Sequence, residues 1–405
     1  MEQMEYIAAL DLGTSKMLAM AATKKDGSLS ILGTEKMVSE NCIRRGCVYN
    51  TNETAEKIVS LVKNLNYSLN PKIKQVYVGI GGQSLRTEQY TAWKDFGEKE
   101  IITDEIVDSL YEDCKKHVPE LAEILDIASP EFYLDGHLES NPKGLECNNI
   151  EAKFQLILGN PSLKGTIKTS MEKANINIAG FFVSPLATAE TTLSPREKKL
   201  GCALVEFGAG VTYLSIYKGG LLKYMVTIPL GGNVITKDLC DMNLEENEAE
   251  ELKIKEGNAL IDPGKSEQLN TIIEARIIEI IANIQHQIEV SGYESALTEG
   301  IIITGGGSNL RNLDRLLSKE TGKQVRSANA EDPTQACIRG LLLLGTENCA
   351  EKIVQPIVEP QTITNLFEDT IVEKKPREKK PRKNPFDIFK NVAEKATKGL
   401  FDEQN

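Results

Sequence analysis

Short runs of β-branched and apolar residues, separated by glycine and polar turns, open the chain. They cover residues 6–12, 16–22 and 29–32. Runs of this length with turn residues between them are typical of strands joined by tight turns. The pattern therefore predicts a β-meander at the start of a domain, and a further buried strand at residues 75–80, directly before Gly81 and Gly82.

Two longer segments carry apolar residues at helical spacing. Thr103 can cap a helix on which Ile106, Leu110 and Cys114 fall on one face. A second helix is predicted at about residues 270–290, with five isoleucines facing inward: Ile273, Ile277, Ile280, Ile281 and Ile284. The chain therefore mixes strands and helices, which indicates an α/β class.

An internal repeat divides the chain into two halves of one plan. The segment at residues 7–20 returns in altered form at residues 202–216. In each copy a strand ends in an acid, Asp11 or Glu206, and a glycine stands two residues further on. The repeat predicts two strand-turn-strand hairpins with equivalent acids at equivalent strand ends.

The glycines of these turns suit a phosphate site. Glycine in a tight strand-turn-strand lets backbone N–H donors approach a phosphate without an intervening side chain. Gly13, Gly208 and Gly210 meet this requirement, and a third glycine run at residues 305–308 follows another buried strand. A single turn of this kind is more often a plain hairpin. Three in one chain favour a nucleotide site between the halves.

The two acids and the residues that follow them could bind a metal ion and phosphate oxygens. Asp11 and Glu206 stand at strand ends, where carboxylates can hold a hydrated magnesium ion between the two hairpins. Thr14 and Lys16 follow the first acid closely enough to reach phosphate oxygens. The spacing thus predicts magnesium together with a phosphorylated ligand.

Composition and charge narrow the class of protein. At 405 residues the chain is too long for one compact core, so two or more globular units are expected. Its 40% hydrophobic and 26% charged residues are typical of soluble globular proteins. The net charge of −12 would repel a phosphate backbone, so nucleic acid is not expected as a partner.

Cysteines and histidines form no recognisable framework in the sequence. The eight cysteines include no CxxC pair and are expected to be reduced thiols. His117, His137 and His286 have no second ligand pair nearby to complete a four-ligand metal site. The N-terminus does not resemble a secretory signal, and no uncharged apolar run is long enough to span a bilayer. We expect a cytoplasmic protein whose membrane contact is peripheral.

The C-terminal part has a different composition. Prolines and few aromatic residues predict a disordered linker at residues 351–384, whose end carries seven Lys or Arg and two Glu between Glu373 and Lys383. Residues 385–401 predict an amphipathic helix with these membrane-facing residues: Phe386, Phe389, Val392, Leu400 and Phe401. We expect this helix to lie on an anionic membrane, with the basic linker supplying most of the attraction. The alternative is a helix that docks on its own body or on a partner.

The three glycine turns, in this order and spacing, resemble the phosphate-1, phosphate-2 and adenosine motifs of the actin, sugar kinase and heat-shock ATPase superfamily. Further segments are similar to the bacterial cell-division family FtsA. They are the run Ser-Pro-Leu-Ala-Thr-Ala-Glu at residues 184–190, Gly-Gly-Asn at 231–233, Thr-Lys-Asp at 236–238, and Ala-Glu-Glu-Leu-Lys at 249–253 followed by Gly257. The similarity covers about residues 4–345, with the tail helix added.

The resemblance implies an actin-like fold of two α/β lobes with ATP between them. The duplicated β-meander core would carry an FtsA-type inserted subdomain. A disordered linker and a C-terminal amphipathic helix would follow the core. The expected subdomains are 1A at residues 4–84 and 163–189, the inserted 1C at 85–162, 2A at 190–235 and 299–346, and the helical 2B at 236–298.

The same resemblance implies a ligand set for ATP and Mg²⁺. Asp11 and Glu206 are the expected catalytic acids and would hold the metal through water. The expected nucleotide ligands are Gly13, Thr14, Ser15, Lys16, Gly208, Ala209, Gly210, Val211, Thr212, Lys237, Glu250, Lys253, Gly305, Gly306, Gly307 and Ser308. The chain departs from the family at Glu206, usually Asp, and at Tyr213, where a second Asp is common. Because a shift of about 1 Å can cost two orders of magnitude in rate, we expect at most a slow ATPase.

The resemblance also implies a role. It is a scaffold that polymerises on the cytoplasmic face of the cell membrane at the division site, tethers FtsZ filaments there and recruits later division proteins. We expect the FtsZ C-terminal tail on the helix at 270–290, against Arg276, Glu279 and Asn283; the alternative is that these three are ordinary solvated helix positions. Two alternatives are an actin-like membrane adaptor similar to PilM, and a sugar or acetate kinase of the same superfamily, which would need an acid to deprotonate a hydroxyl. The tail helix disfavours both.

Overall fold

The structure, a computed structural model, describes residues 5–261, 268–329 and 332–351. The predicted linker at residues 351–384, beyond its first residue, and the predicted amphipathic helix at residues 385–401 lie outside the described residues. Within the described residues no helix is long and apolar enough to cross a bilayer.

The chain opens with the predicted meander and continues to the predicted buried strand. The elements are β1 (Ile7–Leu12), β2 (Lys16–Lys25), β3 (Ser28–Val38), β4 (Ile43–Arg44), β5 (Cys47–Val48), α1 (Thr51–Leu65) and β6 (Gln75–Ile80). Strands β1, β2 and β3 pair antiparallel, whereas β6 pairs with β1 in parallel. Most side chains of β1 and β6 are buried, as expected of strands covered on both faces.

A second group of strands follows between Arg86 and Gly159. Its elements are β7 (Arg86–Ile101), α2 (Asp104–Lys115), β8 (Glu123–Leu134), β9 (His137–Glu139) and β10 (Glu146–Gly159). Strand β10 is central, antiparallel to β7 on one side and to β8 on the other. The predicted cap of α2 is confirmed, because the Thr103 hydroxyl accepts the backbone N–H of Ile106.

The chain then returns to the first sheet through α3 (Ser162–Ala174), β11 (Asn177–Val183) and α4 (Ser184–Thr192). Strand β11 pairs in parallel with β6. The first sheet therefore has the order β11-β6-β1-β2-β3. Helices α1 and α3 contact each other beside it.

The second half repeats the plan of the first. Its elements are α5 (Pro195–Leu200), β12 (Cys202–Phe207), β13 (Thr212–Lys218), β14 (Leu221–Ile228), α6 (Gly232–Leu239), α7 (Glu246–Glu256), α8 (Gln268–Ser291), β15 (Ile301–Thr304), α9 (Leu313–Thr321), β16 (Val325–Ser327) and α10 (Ala336–Leu344). The hairpins match in register, because Asp11 lies opposite Leu18 and Glu206 lies opposite Tyr213. The internal repeat predicted from the sequence is thus present in the structure.

The second sheet joins the second half to the group of strands around β10. Its order is β16-β15-β12-β13-β14-β7-β10-β8-β9. The connection is made where Val226 of β14 pairs with Arg86 of β7. Beside it, the buried Lys223 of β14 forms an ion pair of 2.5 Å with Glu131 of β8. Strands β7 to β10 follow the first half in sequence but are hydrogen-bonded to the second.

Helix α8 packs against the second sheet with the face predicted from its isoleucines. All five predicted isoleucines are buried, in one hydrophobic core with β12, β13, β15 and α9. Helix α10 packs against α4 and strand β1, and belongs to the core of the first half. The two cores lie on opposite faces of the β12–β13 hairpin, because Leu204 and Tyr213 belong to the core of the first half whereas Val205 and Leu214 belong to that of the second.

Candidate functional site

A cavity of about 460 Å³ opens where the two hairpins face each other. Both hairpin turns, the turn after β15, helix α7 and the start of α10 line it. The predicted ligands among its lining residues are Asp11, Gly13, Thr14, Ser15, Lys16, Glu206, Gly208, Ala209, Gly210, Val211, Glu250, Lys253, Gly305, Gly306 and Gly307. Cavities of this volume are typical of small-molecule sites.

Three predicted ligands do not line the cavity. The Thr212 hydroxyl donates to the carbonyl of Leu230 at 2.8 Å, and the residue is buried. The Ser308 hydroxyl donates to the carbonyl of Gly305 at 2.7 Å. Lys237 is exposed on α6. The cavity is therefore built without these three side chains.

The tips of the two hairpins touch each other. A Cβ on Gly210 would lie 2.7 Å from Thr14 Oγ1 and 3.0 Å from Arg45 Cα, which leaves no space for a side chain. Thr14 is itself fixed, because its hydroxyl accepts the backbone N–H of Gly46 at 2.9 Å. Glycine at position 210 is thus required by the close approach of the hairpins.

The third glycine turn lies against the end of β12. Gly305 has φ of +83°, and a Cβ there would lie 2.5 Å from the carbonyl oxygen of Phe207. A Cβ on Gly307 would lie 2.8 Å from Phe207 Cβ. At Gly306 the nearest atom would be 3.6 Å away, so this position has room for a small side chain. The turn brings bare backbone to the cavity wall.

The two predicted acids share a buried electrostatic environment. Burial raises the pKa of Asp11 to about 6, although the Cys337 thiol and the Lys16 charge oppose the shift. Burial also raises the pKa of Glu206 to about 8, with opposition from Thr188 and a further increase from the charge of Asp11. Glu206 Oε2 is buried, and no donor within the described part of the chain reaches it at hydrogen-bond geometry. A nearby cation would relieve the cost of ionising both groups.

The donor set fits Mg²⁺. This ion takes oxygen ligands, keeps several waters and is commonly bound by one or two carboxylates together with phosphates. Among the residues that the structure describes, no three or more His, Cys, Asp or Glu side chains form a group that could hold a metal ion by itself. A metal at Asp11 and Glu206 would therefore complete its shell with water and phosphate oxygens.

Helix α7 contributes a charged pair to the wall. Lys253 Nζ donates to the Gly232 carbonyl at 3.0 Å, to Thr236 Oγ1 at 2.7 Å and to Glu250 Oε2 at 2.6 Å. The Thr236 hydroxyl donates in turn to Glu250. These bonds fix both predicted ligands of α7 against the start of α6.

Several lining residues were not identified from the sequence as ligands. Among them are Ser184 at the start of α4, Pro333 and Thr334 before α10, and Cys337 within it. The Tyr213 hydroxyl accepts the backbone N–H of Gly82 at 2.8 Å from within the wall. Residues 333–337 carry no spacing signal, because a short turn followed by an apolar helix is typical of packing alone.

The residues predicted to contact the FtsZ tail lie along α8. Arg276 donates to Asp238 of α6 through Nε at 2.6 Å and Nη2 at 2.9 Å, and through Nη1 to Glu279 at 2.5 Å. Asn283 donates to the carbonyl of Glu279 at 2.8 Å. Arg276 and Glu279 are joined through their side chains, Asn283 bonds to the backbone of Glu279, and the charge of Arg276 is balanced by Asp238 and Glu279.

Comparison with known proteins assigns the family. The profile described as cell division protein FtsA matches residues 203–366, and the profile of the SHS2 domain inserted in FtsA matches residues 82–158. The cell division protein FtsA of Porphyromonas gingivalis (strain ATCC BAA-308 / W83) is 35% identical over 346 residues, which cover 79% of this chain and 72% of that protein. The chain belongs to the FtsA family. The SHS2 match in this FtsA-family chain falls on strands β7 to β10.

Solved structures give the fold of this FtsA-family chain. A chain of the PilM-PilN type IV pilus biogenesis complex aligns with a TM-score of 0.61 at 15% identity, covering 84% of this chain and 98% of that chain. MreB5 of Spiroplasma citri bound to ADP aligns with a TM-score of 0.50 at 14% identity, covering 84% and 95%. Identities this low show a common fold alone. The predicted actin-like α/β fold is confirmed, and the likeness to the pilus protein does not displace the FtsA assignment.

Proposed function

We propose that this FtsA-family protein binds ATP with Mg²⁺ in the cavity and acts as a self-assembling scaffold. It tethers FtsZ filaments to the cytoplasmic face of the cell membrane at the division site and recruits later division proteins. The observation that carries the nucleotide part is the convergence of three glycine turns and two carboxylates on one cavity. The fold shared with an ADP-bound MreB supports it further.

Different residues of the cavity would bind the phosphate groups and the Mg²⁺ ion. Backbone N–H groups of the glycine turns and the Lys16 ammonium provide donors for phosphate oxygens. Asp11 and Glu206 would hold Mg²⁺, which neutralises phosphate charge when bound. Glu206 is one methylene longer than the usual Asp, so hydrolysis is expected to be slow compared with the roughly 10 per second typical of dedicated enzymes.

Gly210→Ala tests the nucleotide site. A Cβ there meets Thr14 and Arg45, so the hairpin tips must separate, and we expect ATP affinity to fall at least tenfold in calorimetric titration with Mg²⁺. Gly165→Ala is the matched control, because no atom lies within 4 Å of a Cβ at that position. Equal ATP affinity of Gly210→Ala and the parent would count against the cavity as the site.

Membrane attachment is proposed from the sequence of residues 385–401 and the basic linker, which lie outside the described residues. One anchor of modest apolar size binds membrane weakly and reversibly. Linked anchors gain avidity of about two or more orders of magnitude, so membrane binding and self-assembly should reinforce each other.

Co-sedimentation with anionic liposomes tests this attachment. We expect Phe389→Glu to leave the protein in the supernatant, because it places a charge in the apolar face of the predicted helix. Phe389→Leu is the control and should sediment like the parent. ATP affinity should be equal in all three proteins. Sedimentation of Phe389→Glu at the level of the parent, without FtsZ, would show that the anchor lies elsewhere.

The FtsZ tail is proposed to lie along α8 at Arg276, Glu279 and Asn283. Arg276→Glu would also place a negative charge against Asp238, so loss of binding in that variant alone is ambiguous. Glu279→Gln and Asn283→Arg are better probes, because an amide at position 279 keeps an acceptor for Arg276 Nη1. The anisotropy of a labelled FtsZ C-terminal peptide is the measurement. Unchanged peptide affinity in both variants would argue against this face.

A further inference from the structure

The turn before α10 reaches the first hairpin and forms a directed chain of hydrogen bonds with it. Lys16 Nζ donates to Thr334 Oγ1. The Thr334 hydroxyl has its own proton committed elsewhere, because it donates to Asp332 Oδ1 at 2.6 Å. Lys16 and Thr334 both line the cavity. An ammonium, a hydroxyl and a carboxylate are therefore connected at the cavity wall.

Asp332 is held firmly at the far end of this chain. Besides the Thr334 hydroxyl, it accepts the Thr334 backbone N–H at 2.9 Å and Gln335 Nε2 at 3.1 Å. Although burial opposes the shift, hydrogen bonds from Thr334 and the charge of Lys16 lower the pKa of Asp332. The group is thus an oriented, charged carboxylate.

Asp332 stabilises the protonated form of Lys16. Burial lowers the pKa of its ammonium, and the charge of Asp332 is the largest influence that opposes the loss of the proton. A partly buried ammonium is costly unless it is paired or hydrogen-bonded. Asp332 supplies the charge and Thr334 supplies the direct bond.

Thr334 also faces the third glycine turn. A Cβ on Gly306 would lie 3.6 Å from the Thr334 methyl carbon Cγ2. One face of Thr334 therefore lies beside the first hairpin and the other beside the turn after β15. The residue lies between two of the three turns expected to hold the nucleotide.

We propose that Thr334 and Asp332 are positioning residues that aim the Lys16 ammonium at the phosphates of a nucleoside di- or triphosphate. This role rests on the nucleotide site proposed above. Asp332 accepts the hydrogen bond of the Thr334 hydroxyl, so that an oxygen lone pair of Thr334 faces Lys16. Thr334 then confines the ammonium to one direction along the cavity wall, where it can donate to phosphate oxygens.

Titration of the full-length protein with ATP, ADP and adenosine at fixed Mg²⁺ tests the role. Thr334→Val keeps the methyl group beside Gly306 and removes the hydroxyl. We expect it to weaken ATP and ADP binding about tenfold, the usual scale for one hydrogen bond to a charged group, and to leave adenosine affinity unchanged. Thr334→Ser restores the hydroxyl and should restore ATP binding. Asp332→Asn keeps an acceptor but loses the charge, and should show the same selective loss.

Two controls separate positioning from general stability. Thr321→Val removes a hydroxyl that donates to the Leu317 carbonyl at 2.7 Å at the end of α9, outside the cavity lining, and should change no affinity. In a Lys16→Met background, Thr334→Val should cause no further loss, because the group that it positions is absent.

Each outcome decides the matter. Selective loss for ATP and ADP, rescue by Thr334→Ser and non-additivity with Lys16→Met support the role. Equal weakening of all three ligands, failure of Thr334→Ser to rescue, or additive losses overturn it while leaving the nucleotide site intact. A parent protein that binds none of the three ligands overturns the proposed nucleotide function, and the positioning role with it.

Discussion

The hydroxyl of Tyr213 fixes the backbone just before strand β7, which pairs with β14 in the second sheet. It accepts the N–H of Gly82 at 2.8 Å, and Tyr213 is 7% exposed. The carbonyl of Gly82 accepts the Thr227 hydroxyl at 3.0 Å. Both backbone polar groups of this buried glycine are therefore satisfied by side chains of β13 and β14.

Tyr213→Phe removes one of these partners without changing the size of the ring. The Gly82 N–H then remains buried without its acceptor, which costs about 1–3 kcal/mol. A Cβ built on Gly81 or Gly46 would lie 2.7 or 3.0 Å from the Tyr213 hydroxyl oxygen, so the backbone is packed closely around it.

Denaturant-induced unfolding of the parent and Tyr213→Phe measures the effect. At an m-value of about 3 kcal/mol per molar urea, a loss of about 1–3 kcal/mol lowers the urea midpoint by about 0.3–1 M. Tyr67→Phe is the matched control, because Tyr67 is 76% exposed and its hydroxyl faces solvent. If Tyr213→Phe unfolds at the same denaturant concentration as the parent, the reasoning is refuted.

Two further substitutions probe other parts of the structure. Gly305→Ala should lower the free energy of unfolding by about 2 kcal/mol or more and weaken ATP binding. Alanine would have to adopt φ of +83° and place its Cβ 2.5 Å from the Phe207 carbonyl oxygen. Thermal unfolding measures the loss of stability, and titration with ATP measures the loss of affinity. Although burial opposes the shift, hydrogen bonds from the Ser194 backbone and hydroxyl, and then from Arg326, lower the pKa of Glu197 below its unfolded value. The stabilisation is therefore present above the unfolded pKa of about 4.5 and is lost as pH falls through the folded pKa. We expect Glu197→Gln to be less stable than the parent by about 1 kcal/mol at pH 7. Unfolding experiments in acid should show no difference between the two proteins.

The hairpins and the long helix could be predicted from the sequence because their signals are local. In β1 and β12 a continuous apolar run, the acid and the turn glycine occupy neighbouring positions, so the register with Leu18 and Tyr213 follows from the turn. The inward face of α8 follows from isoleucine spacing alone.

Contacts between distant segments could not be predicted in this way. Thr334 meets Lys16 across 318 positions in the chain, and only the packing of α10 against β1 brings them together. The pairing of Val226 with Arg86 likewise has no signal in either strand. Thr212 shows the opposite problem, since its place in a motif suggested a ligand, whereas its hydroxyl bonds to Leu230 inside the fold.

Tyr213 affects the charge of the cavity as well as the stability of the protein. It lies opposite Glu206 in the hairpin, at a position where the resemblance implies a second Asp. A carboxylate there would add a third negative charge beside Asp11 and Glu206, whose pKa values burial already raises. The neutral phenol avoids that repulsion and uses its oxygen to hold Gly82. The same side chain therefore lines the cavity and anchors the backbone that leads into the β7 to β10 segment.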